Sequence, residues 1–219
     1  MRVTRSKSPD GPYVDICDRN VADNNPTDAE SVGNKLAGNY MFYGASQGYA
    51  ALGHNSVLIE DTKYFIVYHT RFEDVNGRVT LWHNQDVNQL FFNSDGWPVI
   101  APNLYAGESA GKVDKADVVG IYDVIEHSPT GNTTTFVNSV PYSLQTDGDI
   151  ISTTDSPGKV GEWMRTGEYY FKITINGTKY NGVIVPQYVN DRSNGINCAT
   201  LSFTGVSDFG NSMWANGRQ

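Results

Sequence analysis

The sequence has little cysteine, little charge and no long apolar run. Cys17 and Cys198 are the two cysteines in 219 residues, too few for a disulfide framework. They leave a long-range bridge or, more plainly, two buried free thiols. The longest apolar stretch, Tyr64 to Tyr68, is strand-sized and far short of the roughly 20 residues of a membrane-spanning helix. Basic residues are scarce. Sixteen Lys and Arg stand against 24 Asp and Glu, a net charge of −8, which argues against a nucleic-acid partner. Charged residues make up 18%, below the usual quarter or so, which argues against disorder. The start, Met1-Arg2-Val3-Thr4-Arg5, lacks the apolar core of a signal peptide. That fits a cytoplasmic chain, a trimmed one, or part of a longer one. No stretch keeps apolar residues at helical spacing over three turns. No Ser-His-Asp order, Gly-x-Ser-x-Gly elbow or phosphate loop is present.

Glycine, at 22, and tyrosine, at 13, are abundant, and short apolar runs are bounded by Gly, Asn and Asp. This pattern predicts an all-β chain. Ser8-Pro9-Asp10-Gly11-Pro12 reads as a turn and residues 18–38 as a polar loop. After a short strand over 40–43, four strands follow: 55–60, 63–69, a bent strand over 79–92, and 97–100. Asp61-Thr62 and Asn93-Ser94-Asp95-Gly96 supply tight links, since Asp-Gly accepts positive φ. Four antiparallel strands with short links make a β-meander, the unit of a propeller blade. Tyr64, Ile66 and Tyr68 alternate with Phe65, Val67 and His69, so the second strand is apolar on both faces.

Residues 106–116, small and charged, read as a linker. Beyond it, strands are expected at 118–126, 133–138, 142–145, 149–153, 161–165, 169–175, 178–187, 198–204 and 212–215. Ile175-Asn176-Gly177-Thr178 is a hairpin signal. Strands at this spacing fit a closed barrel or a sandwich, and about 100 residues suffice for one core.

Chemistry-bearing residues are few. His54, after Gly53, opens a strand; a base or metal ligand at a strand end competes with a histidine bonded to a carbonyl. His69 and Arg71 share a face by period two. Arg71 suits an anion, or a structural ion pair with Glu73 or Asp74. His83 and His127 lack neighbours at ligand spacing. Asp147-Gly148-Asp149 is too short for a calcium loop, whose ligands spread over about twelve positions. Asn132-Thr133-Thr134 and Asn176-Gly177-Thr178 match the glycosylation sequon, the second being better explained as a turn. Trp82, Trp97, Trp163 and Trp214 suit stacking on sugar rings and suit a β core equally.

Several segments, in order, resemble one family. They are Arg5-Ser6-Lys7-Ser8-Pro9-Asp10-Gly11-Pro12-Tyr13-Val14-Asp15, Gly53-His54-Asn55-Ser56 and His69-Thr70-Arg71-Phe72. Then come Gln89-Leu90-Phe91-Phe92-Asn93-Ser94-Asp95-Gly96-Trp97-Pro98-Val99, Ala101-Pro102 and Tyr105-Ala106-Gly107-Glu108. Together they resemble the C-terminal part of two-domain endo-α-1,5-L-arabinanases of glycoside hydrolase family 43. Gly161-Glu162-Trp163, Tyr180-Asn181-Gly182-Val183 and Met213-Trp214 are similar to the β-barrel appended to such enzymes.

The resemblance implies the last one to two blades of a five-bladed β-propeller over residues 1–108, a linker over 109–116 and a lipocalin-like barrel over 117–219. It implies an inverting glycosidase in which one carboxylate activates water, a second protonates the leaving group and a third tunes the acid. Those carboxylates are expected upstream of Met1, so none in this chain, Asp10, Asp15 and Glu60 included, takes a catalytic role. His54 is implied as an axis-facing residue beside a central calcium or other cation, and Arg71 as active-site support. Near Asn88, where family members often carry a second histidine, this chain has asparagine. Arabinan is the implied substrate, in a secreted or periplasmic full-length enzyme. A chain reduced to these parts is expected to be inactive alone and to leave blade edges open. The other reading is a carbohydrate-binding or structural β module without catalysis.

Overall fold

The computed structural model describes residues 1–23, 30–45, 47–73, 77–128, 136–154, 156–191 and 196–218. Among the described residues helix is confined to two single 3-10 turns, Val21–Asp23 and Lys115–Val118, and no helix is long and apolar enough to cross a membrane. A two-residue pair, β1 (Arg2–Val3) with β2 (Asn34–Lys35), fastens the N-terminal segment.

The first large sheet is built on the meander. It contains β3 (Tyr40–Met41), β4 (Tyr49–Glu60), β5 (Lys63–Phe72), β6 (Asn84–Phe92) and β7 (Pro98–Ile100). Its links match the turn signals: Asp61 (φ +53°) and Gly96 (φ +74°) take the left-handed backbone that a tight hairpin demands. The expected third strand, 79–92, begins only at Asn84. Leu81 and Trp82 are over four-fifths exposed, because β6 pairs β5 no further than Asn84 and an apolar residue without a partner strand gains nothing by extending. A sixth strand, β9 (Val137–Asn138), comes from the second half and lies parallel to β3. The expected strand over 133–138 falls partly outside the described residues.

The second half settles the choice between sandwich and barrel. The strands are β8 (Gly120–Glu126), β10 (Val140–Leu144), β11 (Asp149–Ser152), β12 (Gly158–Arg165), β13 (Tyr170–Ile175), β14 (Thr178–Asp191), β15 (Ile196–Ser207) and β16 (Ser212–Gly217). They close into an eight-stranded antiparallel barrel, β16 returning to β8. Alternation decides what goes inside: Phe171, Ile173 and Ile175 on β13 face Tyr122, Leu144, Trp163, Phe203 and Met213. The free space among these side chains is about 10 Å³, no more than one water needs, so this barrel is packed rather than hollow. Closure also needs two bare backbones. A side chain on Gly161 would strike the Thr174 carbonyl, and one on Gly182 the Thr204 carbonyl.

The sheet rests on the outside of the barrel. Trp214 and Ile125 point outward from β16 and β8 and join Tyr40, Ile66, Tyr68 and Leu90 of the sheet. A second patch sets Phe91, Trp97 and Val99 against Val183, Val185 and Val206. Between them runs a polar seam. Asn103 Nδ2 lies 2.8 to 3.1 Å from Asn216 Oδ1, Ser202 Oγ and Gln187 Oε1. Gln187 Nε2 donates to Glu108 at 2.9 Å. Burying amides is tolerable only when they are bonded in this way.

Three of the four tryptophans considered for sugar stacking are therefore spoken for: Trp97, Trp163 and Trp214 are buried, and Trp82 alone is exposed. Both cysteines are free, as expected of unbridged thiols, but the burial reading fails: Cys17 is exposed and Cys198 half-buried. Cys17 sits on a surface turn, with its Sγ 3.5 Å from the Asp208 carbonyl.

Candidate functional site

The one convergence of chemistry-bearing side chains that the sequence pointed to lies on β4, β5 and the entry to β6. Opposite β5, strand β4 carries two bulges. Ala50 pairs with Arg71, Gly53 with His69 and Ser56 with Val67, so three steps on β4 match two on β5, twice. The extra residues take left-handed backbone, with φ +53° at Ala51 and +47° at His54. Such a conformation costs on the order of 1–3 kcal/mol in a residue with a side chain, and it persists only where the surroundings enforce it.

The second bulge aims the His54 imidazole at β5. Its Nδ1 lies 3.2 Å from His69 Nδ1, so in the free protein one ring donates and the other accepts. His83 stands edge-on to His69 with ring centres 4.5 Å apart. Arg71 Nε donates to His83 Nε2 at 2.8 Å. In this contact Arg71 binds a histidine rather than Glu73. His69 is held below its usual pKa, by its partial burial first and then by His83, His54 and Arg71 nearby. Behind the site, Tyr68 donates to Asn88 Oδ1 at 2.9 Å, and Asn88 Nδ2 donates to the carbonyls of Ala101 and Asn103. Asn88 is therefore a buried brace between β6 and the seam.

Sequence spacing found His54, His69 and Arg71. It missed His83, which reaches them only through the β5–β6 register, His69 facing Gln85. His127, just past the end of β8, is expected to be a packed or solvent-facing histidine and is packed. It is fully buried between Trp214 and Tyr40, and neither ring nitrogen has a hydrogen-bond partner. Burial, with lesser contributions from Lys35 and the Met1 amine, lowers its pKa to about 3.

The histidines line an open depression of about 300 Å³ with Ser56, Asn84 and Gln85, and no carboxylate lines it. Calcium takes six to eight oxygen ligands, largely carboxylate and carbonyl. Two converging imidazole nitrogens are a poor match for it, and the described residues contain no group of three or more His, Cys, Asp or Glu placed to hold a metal.

Carboxylates elsewhere are engaged structurally. Asp15 accepts from Arg19 and from the Gly33 and Cys17 amides. Burial would raise its pKa, but those hydrogen bonds outweigh burial and hold it low. Asp86 accepts from Thr70 at 2.6 Å, Glu108 from Gln187, and Asp123 from Arg218. Along the barrel's outer groove, Asp149 and Glu162 share Lys159. A general acid needs its carboxyl pushed up, the opposite of what the hydrogen bonds do to Asp15.

A β-meander sheet braced on a packed eight-stranded barrel defines a two-part all-β protein whose second part is a lipocalin-like barrel. The chain belongs to the glycoside hydrolase family 43 C-terminal lipocalin-like domain family, whose pattern matches residues 102–215. It is similar to an extracellular endo-α-(1→5)-L-arabinanase 2 of Bacillus subtilis, 32% identical over 99% of this chain and 46% of that protein. An extracellular endo-α-(1→5)-L-arabinanase of Thermotoga petrophila is 33% identical over 98% of this chain and 45% of its own length. Among solved structures, a family 43 glycoside hydrolase from Bacillus licheniformis superimposes with a TM-score of 0.87 at 32% identity, over the whole of this chain and 48% of that one. The Thermotoga petrophila arabinanase superimposes with a TM-score of 0.85 at 33% identity, again over 48% of its chain. The chain thus spans about half the length of the relatives it matches.

Proposed function

We propose that this chain is the C-terminal part of a glycosidase that cleaves α-1,5-linked arabinan by an inverting acid–base mechanism. The reading rests chiefly on one observation: two curated relatives, both endo-arabinanases, match almost all of it at 32% and 33% identity. On this reading β4 to β7 are a terminal propeller blade, and the open edge of β4 receives upstream blades. Val57, Leu58 and Ile59 on that edge are at least half exposed, and beyond Tyr49 the described residues pair β4 with β5 alone. The site histidines then face the propeller axis, with His54 and Arg71 supporting a centre whose carboxylates lie upstream. The full-length enzyme acts outside the cell, as the two relatives are named to do.

On this reading the chain contributes positioning rather than proton transfer: water activation and leaving-group protonation fall to upstream carboxylates, while Asp15, Asp86, Glu108 and Asp123 here serve structural partners. Calcium is the cation that family members would imply, but the donors around His54 fit it poorly, and no step is drawn through it. Incubation with linear arabinan tests the reading. The 219-residue chain alone releases no reducing sugar, whereas the product of a reading frame extended upstream releases arabino-oligosaccharides. Release by the chain alone, lost in His54→Ala, overturns the division of labour; failure of the extended product on arabinan overturns the substrate.

A binding or bracing module is the second reading. The packed barrel interior favours bracing over binding a ligand within it. Retention of the chain on insoluble arabinan would favour binding.

A further inference from the structure

We infer that the cavity at the junction of sheet and barrel is a sugar-binding pocket for one neutral ring, separate from the histidine depression. The ligand named for it, a single arabinofuranosyl unit of arabinan, rests on the substrate proposed above; the pocket itself does not.

The cavity has a volume of about 190 Å³. That is below the roughly 300–1,000 Å³ of sites for drug-sized ligands, so it suits one small ring rather than an oligosaccharide. It shares no lining residue with the depression around His54. No charged side chain among the described residues lines it, which favours a neutral ligand. The lining is of two kinds. Tyr40, Phe42, Tyr43 and Tyr49 are aromatic, Tyr40 and Tyr49 stacking in parallel with ring centres 5.0 Å apart. Asn103 and Asn216, from the polar seam, supply amides. These two bond each other in both directions, at 2.8 and 3.1 Å, which fixes their planes. Asn216 Nδ2 has one acceptor for its two hydrogens among the described residues, leaving a donor for a hydroxyl. A sugar presents apolar C–H faces to aromatic rings and hydroxyls to amides, the combination this lining offers.

Tyr43 carries the argument. Its side chain is 72% exposed, yet it is held in place. It sits in a turn closed by the Ala45 amide on the Phe42 carbonyl at 3.1 Å, with Gly44 in left-handed backbone at φ +76°. Its own amide donates to Ser139 Oγ at 2.7 Å. The Arg218 guanidinium stands 4.5 Å from the ring centre and is itself clamped by two hydrogen bonds to Asp123. Arg218 is not part of the lining, so the ring keeps a surface toward the cavity. A ring fixed in advance gives up little side-chain freedom when a ligand stacks on it. A ring with a purely structural role would be packed beneath neighbours rather than left open beside unfilled space.

Titration of the isotope-labelled 219-residue chain with methyl α-L-arabinofuranoside and, separately, methyl β-D-glucopyranoside tests the inference through assigned amide NMR signals. The arabinoside saturates with a dissociation constant on the order of a millimolar, ordinary for so small a ligand. It moves the signals of Gly44, Leu104 and the Asn216 side chain and leaves Gln85 in place. Tyr43→Ala weakens binding about tenfold, whereas Tyr43→Phe, which keeps the ring, stays within about twofold. Ala45→Trp fills the cavity and abolishes binding. The same spectra verify that each variant is folded. Shifts at Gln85 in place of Gly44, unchanged affinity in Tyr43→Ala, or no shifts with either sugar would each overturn the pocket. Saturation by the glucoside alone would leave a sugar pocket but overturn arabinan as its source, and with it the ligand named here.

Discussion

The two halves of the molecule solve the same problem of closing a β-structure, and only one finishes it. In the barrel every strand has two neighbours, and the interior is filled to within about 10 Å³. Its special backbone positions are glycines placed where strands crowd, Gly182 facing Gly205 across β14 and β15. In the sheet, β4 keeps an exposed apolar edge and spends two left-handed non-glycine residues, Ala51 and His54, on bulges. In the barrel the left-handed non-glycine residue, Asn176, sits in a hairpin turn; in the sheet Ala51 and His54 sit within a strand, where four polar side chains meet. The contrast separates a scaffold from a site.

The comparison can be broken at its strongest point first. Gly182→Val drives a branched side chain into the Thr204 carbonyl, and the barrel cannot shift without opening. A loss of about 4 kcal/mol or more, or no folded protein, is expected in denaturant melts. The junction between the halves comes next. Trp214→Ala removes a fully buried ring packed on His127 and Tyr40, and about 3–5 kcal/mol of stability should go with it.

A third test uses pH. His127 titrates near 3 when folded and near its ordinary value of about 6.5 when unfolded, so below that value the unfolded chain takes up a proton the folded chain refuses. Stability should be flat for this group above about pH 6.5 and fall on acidification, by roughly 2 kcal/mol at pH 5. The buried Met1 amine, lowered to about 6, adds a slope of the same sign. The relevant reading is therefore the difference between the unaltered chain and His127→Phe, in which that part of the slope disappears.

The smallest effect belongs to the sheet edge. Leu58→Lys should change stability by no more than about 0.5 kcal/mol while lowering self-association in sedimentation, because a charge on an open edge opposes strand addition.

The barrel was legible because its code is local. Alternation at Phe171, Ile173 and Ile175 and the Asn176-Gly177 turn, with φ of +49° and +82°, each state the answer within a few residues. The meander was legible for the same reason. The site was legible only in part. His54, His69 and Arg71 share two neighbouring strands, but nothing in Gly53-His54 announces a bulge, and His83 arrives from β6 through register. Trp163 and Trp214 belong to segments whose face is set by the barrel's curvature, so stacking and core packing stayed equivalent until the strands were closed. His127 read as a packed or solvent-facing histidine and is packed; its lack of any hydrogen-bond partner was not legible, because it breaks the rule that buried polar groups are paired.

Hydrogen exchange on the folded chain tests the contrast most directly. Tyr180 to Val183, paired on both sides within the barrel, should exchange most slowly. Alternate amides from Gly53 to Glu60, bonded to β5 on one side only, should exchange orders of magnitude faster. Uniform protection across both segments would contradict it.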